Sequence, residues 1–139
     1  MMNLFYVTGK QRGLGKYWSD HYLTTDNPEE ADIIFNCEHE KQMRILHEYG
    51  KTHRVITIGS HASDFPYKSK YHAMKYGIRM LSGKLWDEGY NTTCINFGYF
   101  ESPRAAHKQV PKMKLSEVED VIMWVIQSQH RIKEITISP

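Results

Sequence analysis

The stretch "YHAMKYG", residues 71–77, sets Tyr71 and Lys75 four positions apart. On a helix, residues at i and i+4 face the same way, with Cβ atoms about 5–6 Å apart. A tyrosine phenol is a poor acid at neutral pH, with an unperturbed pKa near ~10. A neighbouring ammonium stabilises the phenolate and makes the phenol a better general acid/base. Such a group can deliver a proton to the alkoxide that develops when a carbonyl is reduced. Ser60 stands eleven residues earlier and offers a hydroxyl that can polarise the carbonyl, with Ser63 as its alternative. Taken alone, the pair is equally an ordinary surface tyrosine and lysine one helical turn apart.

A second group with chemistry in it is "TGKQRGLG", residues 8–15. It places Gly9, Gly13 and Gly15, with Leu14 between the last two, at a change from strand-like to helix-like sequence. Glycines there let the backbone turn tightly and approach a phosphate, and the N–H groups and dipole at the helix start favour the anion. Lys10 and Arg12 add positive charge to the same loop. The bland alternative is a glycine-rich turn that binds nothing, and the pattern alone does not choose between the two.

Five runs rich in β-branched and aromatic residues must position these groups: residues 3–8, 32–37, 54–59, 91–97 and 134–138. Their near-continuous hydrophobicity points to strands covered on both faces. Helical patterns lie between them. Residues 13–22 form a short one, and 38–50 a second that ends at Gly50 as the C′ residue just past the helix. The third covers about 69–88, with Met74, Ile78, Leu81 and Leu85 on one stripe and a stop at Gly89. The last opens at "SEVE", where Ser116 and Glu119 fit a capping box, and shows an apolar face of Val118, Val121, Ile122 and Val125. Regular alternation of strand and helix indicates an α/β class with a mainly parallel sheet of about five strands and helices on both faces. No repeat, linker or composition shift divides residues 1–139, so a single domain is expected.

Taken together, these blocks resemble the short-chain dehydrogenase/reductase family. The family's T-G-x-x-x-G-[IL]-G loop is matched at every fixed position by "TGKQRGLG". "DIIFN" is similar to its D-[IL]-[LV]-V-N-N-A-G strand, with Asn36 on the first asparagine. "VITIGS" resembles its V-x-x-I-S-S strand and puts Ser60 on the catalytic serine, "YHAMK" carries its Tyr-x-x-x-Lys, and "FGYFESP" resembles its P-G-Y-V-x-T-P. The resemblance implies a shortened Rossmann-like domain that transfers hydride between a nicotinamide dinucleotide and a carbonyl or alcohol substrate. Tyr71 is then the general acid/base, Lys75 tunes it and orients the ribose, and Ser60 polarises the carbonyl. Gly9, Lys10, Arg12, Gly13, Leu14, Gly15 and Asn36 fall on cofactor-binding positions, and Phe100 and Ser102 on those that hold the nicotinamide amide. A basic residue directly before the second loop glycine, here Arg12, resembles NADP-preferring members, with NAD as the alternative cofactor.

The resemblance has gaps. Only 26 residues separate Gly9 from Asn36, where the family fits two further strands, so the second and third strands of the full fold are expected to be missing. "NCEH" puts Cys37, Glu38 and His39 where the family has small residues. Either the helix at 13–22 changes face, or residues 23–32 loop back around the sheet edge, because a direct right-handed crossover would reverse the helix's side. The first strand would become an edge that invites covering or pairing across a subunit interface. In the family the Tyr/Lys helix commonly packs in a dimer or tetramer interface, and both considerations imply a homo-oligomer. A second reading is a non-catalytic relative that binds a nucleotide or a protein partner.

Bulk composition narrows the remaining classes. The chain has 139 residues, 40% apolar and 12% aromatic, enough for a real core, and a formal charge of +2 with scattered lysines and arginines. Nucleic acid is therefore not an expected partner. No apolar run approaches the ~18 residues of a membrane span, and no basic leader precedes the first strand. Two cysteines do not make a disulfide scaffold, and a cytoplasmic location is the default. No His/Cys/Asp/Glu group has metal-ligand spacing. Trp18, Trp86 and Trp124 read as packing anchors, and Cys94 as a buried thiol.

Overall fold

The computed structural model describes residues 2–139. Five strands, β1 (Phe5–Val7), β2 (Ile33–Asn36), β3 (Arg54–Ser60), β4 (Thr92–Phe97) and β5 (Glu134–Ile137), alternate with four α-helices. The helices are α1 (Gly13–His21), α2 (Gln42–Tyr49), α3 (Lys70–Asp87) and α4 (Leu115–Gln127). The strands lie side by side in chain order, and every neighbouring pair is parallel. This is the expected Rossmann-like α/β arrangement, with strands at all five apolar runs. β2 and β4 are buried at every position, which is why neither alternates in hydrophobicity.

Successive residues of the strands feed two separate cores. Ile33 and Phe35 point to one face, where Leu14 and Trp18 of α1 and Val118, Ile122 and Val125 of α4 cover them. Ile34 and Val55 point to the other, against Ile45 and Leu46 of α2 and Ile78 and Leu85 of α3. Trp18 is fully buried and stacks on Phe35 with ring centroids 4.7 Å apart. Burying one such side chain contributes about 1.5–3 kcal/mol before its ordering cost.

Strands laid down in one direction by right-handed crossovers would put every helix on one face. Here α1 and α4 lie opposite α2 and α3. For α1 the chain resolves this by running outward first. Phe5 N donates to Leu23 O at 3.0 Å, Thr25 N donates to Phe5 O at 2.9 Å, and Thr24 pairs in parallel with Phe5. Residues 23–25 thus lie along the outer edge of β1 as a stub of strand. A short 3-10 helix, Pro28–Glu30, then turns the chain back, with Asn27 Oδ1 accepting from Glu29 N at 3.1 Å. Leu4 N donates to Asp32 Oδ2 at 2.8 Å and seats the entry to β2. Of the two expected routes, the loop around the edge is the one taken. The long segment 98–114 likewise carries the chain from β4 to the α1 face before α4 begins.

Several local expectations are corrected. α4 starts at Leu115 with Lys114 as its N-cap residue, not at Ser116, and Glu117 in the first turn closes it, its Oε1 accepting from Lys114 N at 2.8 Å. Glu119 is instead drawn toward Tyr17 and Tyr22 of the α1 segment. Gly50 ends α2 with right-handed angles (φ −61°, ψ −24°), so it is not a left-handed cap. A Cβ there would overlap Leu46 O and Leu85 Cδ1, and the glycine serves close packing of α2 on α3. Residues 39–41 are a 3-10 turn that precedes α2. Trp124 is 61% exposed and anchors nothing, and Met74 on the α3 stripe is exposed as well. The β1 edge is not open, because residues 23–25 cover it.

Candidate active site

A parallel sheet brings all its C-terminal strand ends to one side, and the loops beyond them meet there. The glycine loop follows β1, the turn 37–41 follows β2, Ser60 ends β3, and segment 98–114 follows β4. The first turn of α3 completes the group with Tyr71. Thr8 Oγ1 accepts from both Cys37 N and Glu38 N at 2.9 Å, tying the first two loops together.

Gly9 (φ +74°) and Gly13 (φ +61°) occupy the left-handed region that favours glycine. A Cβ on Gly15 would overlap the Gly9 carbonyl oxygen, so the start of α1 rests directly on the loop. Arg12 is the N-cap residue but makes no side-chain capping bond, and the first turn of α1 carries no acidic residue. The helix start therefore presents positive dipole with no acidic side chain of its own, and the Gly15 N–H is directed at the Cys37 thiol. Leu14 is a core residue and can offer a ligand only backbone. Lys10 pairs with Asp26 at 2.7 Å, whereas Arg12 is exposed and, among the described residues, makes no ion pair.

Tyr71 is half-buried on α3, and Lys75 one turn later is only 5% exposed. Lys75 Nζ lies 5.7 Å from the centre of the Tyr71 ring and donates to Gln42 Oε1 at 2.7 Å. Burial pulls the Lys75 ammonium down from the ordinary lysine value to about 8. Gln42 is fully buried, and its Nε2 donates to Asn36 O at 2.8 Å and Ile58 O at 2.7 Å. Asn36, also fully buried, donates from Nδ2 to Gln42 O at 3.0 Å and to Thr57 Oγ1 at 3.2 Å. Asn36 and Gln42 thus lock the β2–α2 turn and hold Lys75 by its tip.

Ser60 is half-buried at the end of β3, and its Oγ accepts from Ala62 N at 3.0 Å. Its own hydroxyl proton remains free to donate. Ser63 is buried, and its Oγ accepts from Arg79 Nη1 at 3.3 Å. Segment 98–114 is pinned by a bridge between Phe100 and Met113, with Glu101 N donating to Met113 O at 2.9 Å. Phe100 packs edge-on against Phe97, and Ser102 Oγ accepts from Ala105 N at 3.2 Å. Pro103 Cδ stands 3.8 Å from where a Gly13 Cβ would be, so this segment reaches over the glycine loop.

Three residues of this neighbourhood were absent from the candidate set. The His39 ring lies 4.8 Å from the Tyr71 ring, and its Nδ1 is buried without a hydrogen-bond partner. Burial, and then the charges of Lys75 and Arg104, push its pKa below the usual histidine value. The Arg104 guanidinium lies 5.4 Å from the Tyr71 ring centre, with Nη1 3.4 Å from the phenol oxygen. Gln42 is the third. Its sequence signal was a polar residue in register with Ile45 and Leu46, three and four positions on, where the apolar stripe of α2 runs. The crowded "NCEH" pointed to His39, but nothing in the spacing singled out Arg104. Among the described residues there is no cluster of metal-ligating side chains, and no helix is long and apolar enough to cross a membrane.

No protein-family model and no curated protein matches this sequence. Solved structures do resemble it in shape. A short-chain dehydrogenase from Burkholderia cenocepacia in complex with NADP superposes with a TM-score of 0.70 at 12% identity, over 99% of this chain and 88% of that one. A 4-hydroxyisoleucine dehydrogenase mutant complexed with NADH and succinate gives a TM-score of 0.69 at 11% identity, over 97% and 96%. A 3-oxoacyl-[acyl-carrier protein] reductase from Brucella melitensis gives 0.64 at 11%, over 98% and 90%. The five parallel strands and their two helical layers give this chain the Rossmann-like α/β fold that these dehydrogenase and reductase structures share.

Proposed function

We propose that the protein is an oxidoreductase that transfers hydride between NADP(H), with NAD(H) as the alternative, and a carbonyl or alcohol substrate. One observation carries this reading. The open start of α1 and the Tyr71/Lys75 pair lie at the same C-terminal end of one parallel sheet. The left-handed glycines and the uncapped helix start fit the phosphates of a dinucleotide. Gly9, Gly13, Gly15 and the backbone at Leu14 would hold them, with Arg12 and Lys10 supplying charge. Phe100 and Ser102 would face the nicotinamide end. The bound cofactor supplies the hydride.

Tyr71 then gives its proton to the carbonyl oxygen during reduction and takes it back during oxidation. Ser60, whose proton is not used internally, donates to the same oxygen and polarises the carbonyl. Lys75 acts by charge from beneath the Tyr71 ring and, on this reading, meets the ribose. Gln42 keeps the ammonium in place. Asn36 contributes by fixing the turn that carries Gln42 and His39.

A second reading is favoured by the crowding of Tyr71. The His39 ring and the Arg104 guanidinium both lie against it, which suits a non-catalytic relative that binds a nucleotide or a protein partner. Calorimetric titration with NADPH and NADH separates the two. The enzyme reading expects binding by wild type and by Tyr71→Phe, with turnover lost by at least about 100-fold in the variant. Arg12→Ala is expected to weaken NADPH more than NADH. Absence of binding at millimolar cofactor overturns the enzyme reading, and binding without turnover across a carbonyl panel supports the second.

The proposal extends to assembly and location. Met74, Tyr76 and Met80 of α3 are exposed, which supports a dimer or tetramer built on that helix, testable by light scattering. Both cysteines are free, consistent with a cytoplasmic protein.

A further inference from the structure

Arg104 is the cation that faces the Tyr71 hydroxyl. Its Nη1 stands 3.4 Å from the phenol oxygen, and its guanidinium lies over the ring at 5.4 Å. Lys75, the other nearby cation, is buried and directed at Gln42 Oε1 and Ile58 O. Arg104 is exposed, and no carboxylate among the described residues pairs with it. Glu38 of the adjoining turn is engaged with Lys41 at 3.2 Å, and Glu40, whose charge reaches Lys75 and His39 as that of Arg104 does, makes no ion pair with Arg104. The backbone that carries Arg104 lies in a turn that closes directly after it. Ala105 is buried, and its N–H donates to Ser102. A guanidinium held in this way, with one long bond to a phenol and no carboxylate partner, matches a carboxylate in two parallel hydrogen bonds.

We propose that Arg104 sets the specificity of this site, selecting carbonyl substrates that bear a carboxylate on the reacting carbon: 2-oxo acids and the corresponding 2-hydroxy acids. The proposal rests on the oxidoreductase reading and adds the substrate class to it. In a 2-oxo acid the carboxylate is one bond from the carbonyl carbon, so a substrate oxygen at Tyr71 brings its carboxylate to the cation beside that phenol. The carbonyl carbon gains hydride and its oxygen gains the Tyr71 proton. The oxo acid is thereby reduced to the hydroxy acid, and NADPH is oxidised to NADP+. The carboxylate stays intact and serves only as the handle.

The test compares 2-oxobutanoate with its uncharged methyl ester, both with NADPH, in wild type, Arg104→Lys and Arg104→Leu. Arg104 is exposed, so the variants are expected to fold, and their melting temperatures check this. The expected result is a preference of wild type for the acid. In Arg104→Leu, the ratio of kcat/KM for the acid to that for the ester falls on the order of 100-fold, a readout that any common change from removing the cation beside the Tyr71 phenol leaves untouched. Arg104→Lys recovers only part of the loss, because a lysine lacks the fork. Equal turnover of acid and ester by wild type, unaffected by Arg104→Leu, overturns the inference and leaves the oxidoreductase reading standing. A rise in KM for NADPH with no change in acid preference assigns Arg104 to the cofactor phosphates and also overturns it. Absence of turnover of either compound, with no NADPH binding, overturns both.

Discussion

At the scale of single residues, the unusual feature is how fully Lys75 is committed. Its tip is held by a glutamine whose amide is itself committed to two backbone carbonyls. Burial depresses its pKa to about 8, so the fold disfavours the charged form. The unfolded chain, with an ordinary lysine, therefore binds more protons than the native one between pH about 8 and 10.5. Lys75's contribution to stability accordingly rises with pH through that window, and its cost is fully present below it. Cys37 and Cys94, pushed by burial to about 11 and 12, and the tyrosines with raised pKa values act in the opposite direction at alkaline pH. The difference between wild type and Lys75→Met isolates the lysine. Measured by urea denaturation, wild type is expected to gain stability relative to the variant from pH 7.5 to 9.5. A flat difference would show that Lys75 is not desolvated. The approach of Lys75 to Tyr71 on one face of α3 was legible from their spacing. Arg104 and Gln42 were not, because their relation to Tyr71 and Lys75 exists only after the sheet brings distant loops together.

At the scale of elements, the strands and helices were legible because apolar runs and stripes reflect burial directly. The positions of β1 to β5 and the Ser69 and Gly89 ends of α3 follow from local sequence. Helix starts were read less well, as α4 shows: "SEVE" fits a capping box, but Glu117 bonding Lys114 N competes with it two residues earlier. Gly50 was misread for a related reason, since a glycine required by a neighbouring helix looks the same in sequence as one required by its own φ. Gly15 is the more demanding case. Its missing Cβ lets α1 seat on the Gly9 carbonyl, so Gly15→Ala must push the helix off the loop. The expected cost is about 2–4 kcal/mol in urea unfolding. If the loop is a phosphate site, cofactor affinity falls with it. A neutral substitution would mean that the loop moves freely, contrary to the packing described.

At the scale of the whole molecule, two sets of contacts hold distant parts of the chain together. Arg79 bonds Asp64 at 2.6 Å and Glu134 at 2.7 Å, joining the 3-10 turn after β3 (His61–Asp64), α3 and β5. On the opposite face, Glu119 of α4 accepts from the hydroxyls of Tyr17, at 2.7 Å, and Tyr22. Burial raises the Glu119 pKa, but the two tyrosine bonds outweigh it and hold the carboxyl below the usual value. A depressed carboxylate contributes stability that is present above its unfolded pKa and lost as pH falls through the folded one. Glu119→Gln is therefore expected to lower stability at pH 7 and to reduce the loss on going toward pH 3, read from denaturant midpoints. Equal acid sensitivity in both proteins would exclude this carboxylate as a source. The route of the chain between α1 and β2 was the part least legible in sequence. Residues 23–25 pair through backbone alone, and backbone pairing leaves no side-chain pattern.

That edge pairing also says where this fold can change length. Residues 23–25 already occupy the lane that one more strand would fill, and they leave it at Asp26 and Asn27, both exposed. A strand–helix unit spliced in at that corner would extend the sheet outward without moving α1, β2 or the loops around Tyr71. The molecule is thus expandable on one side, and the corner at Asp26–Asn27 is where an added module would join with its hydrogen-bonding partner already in place.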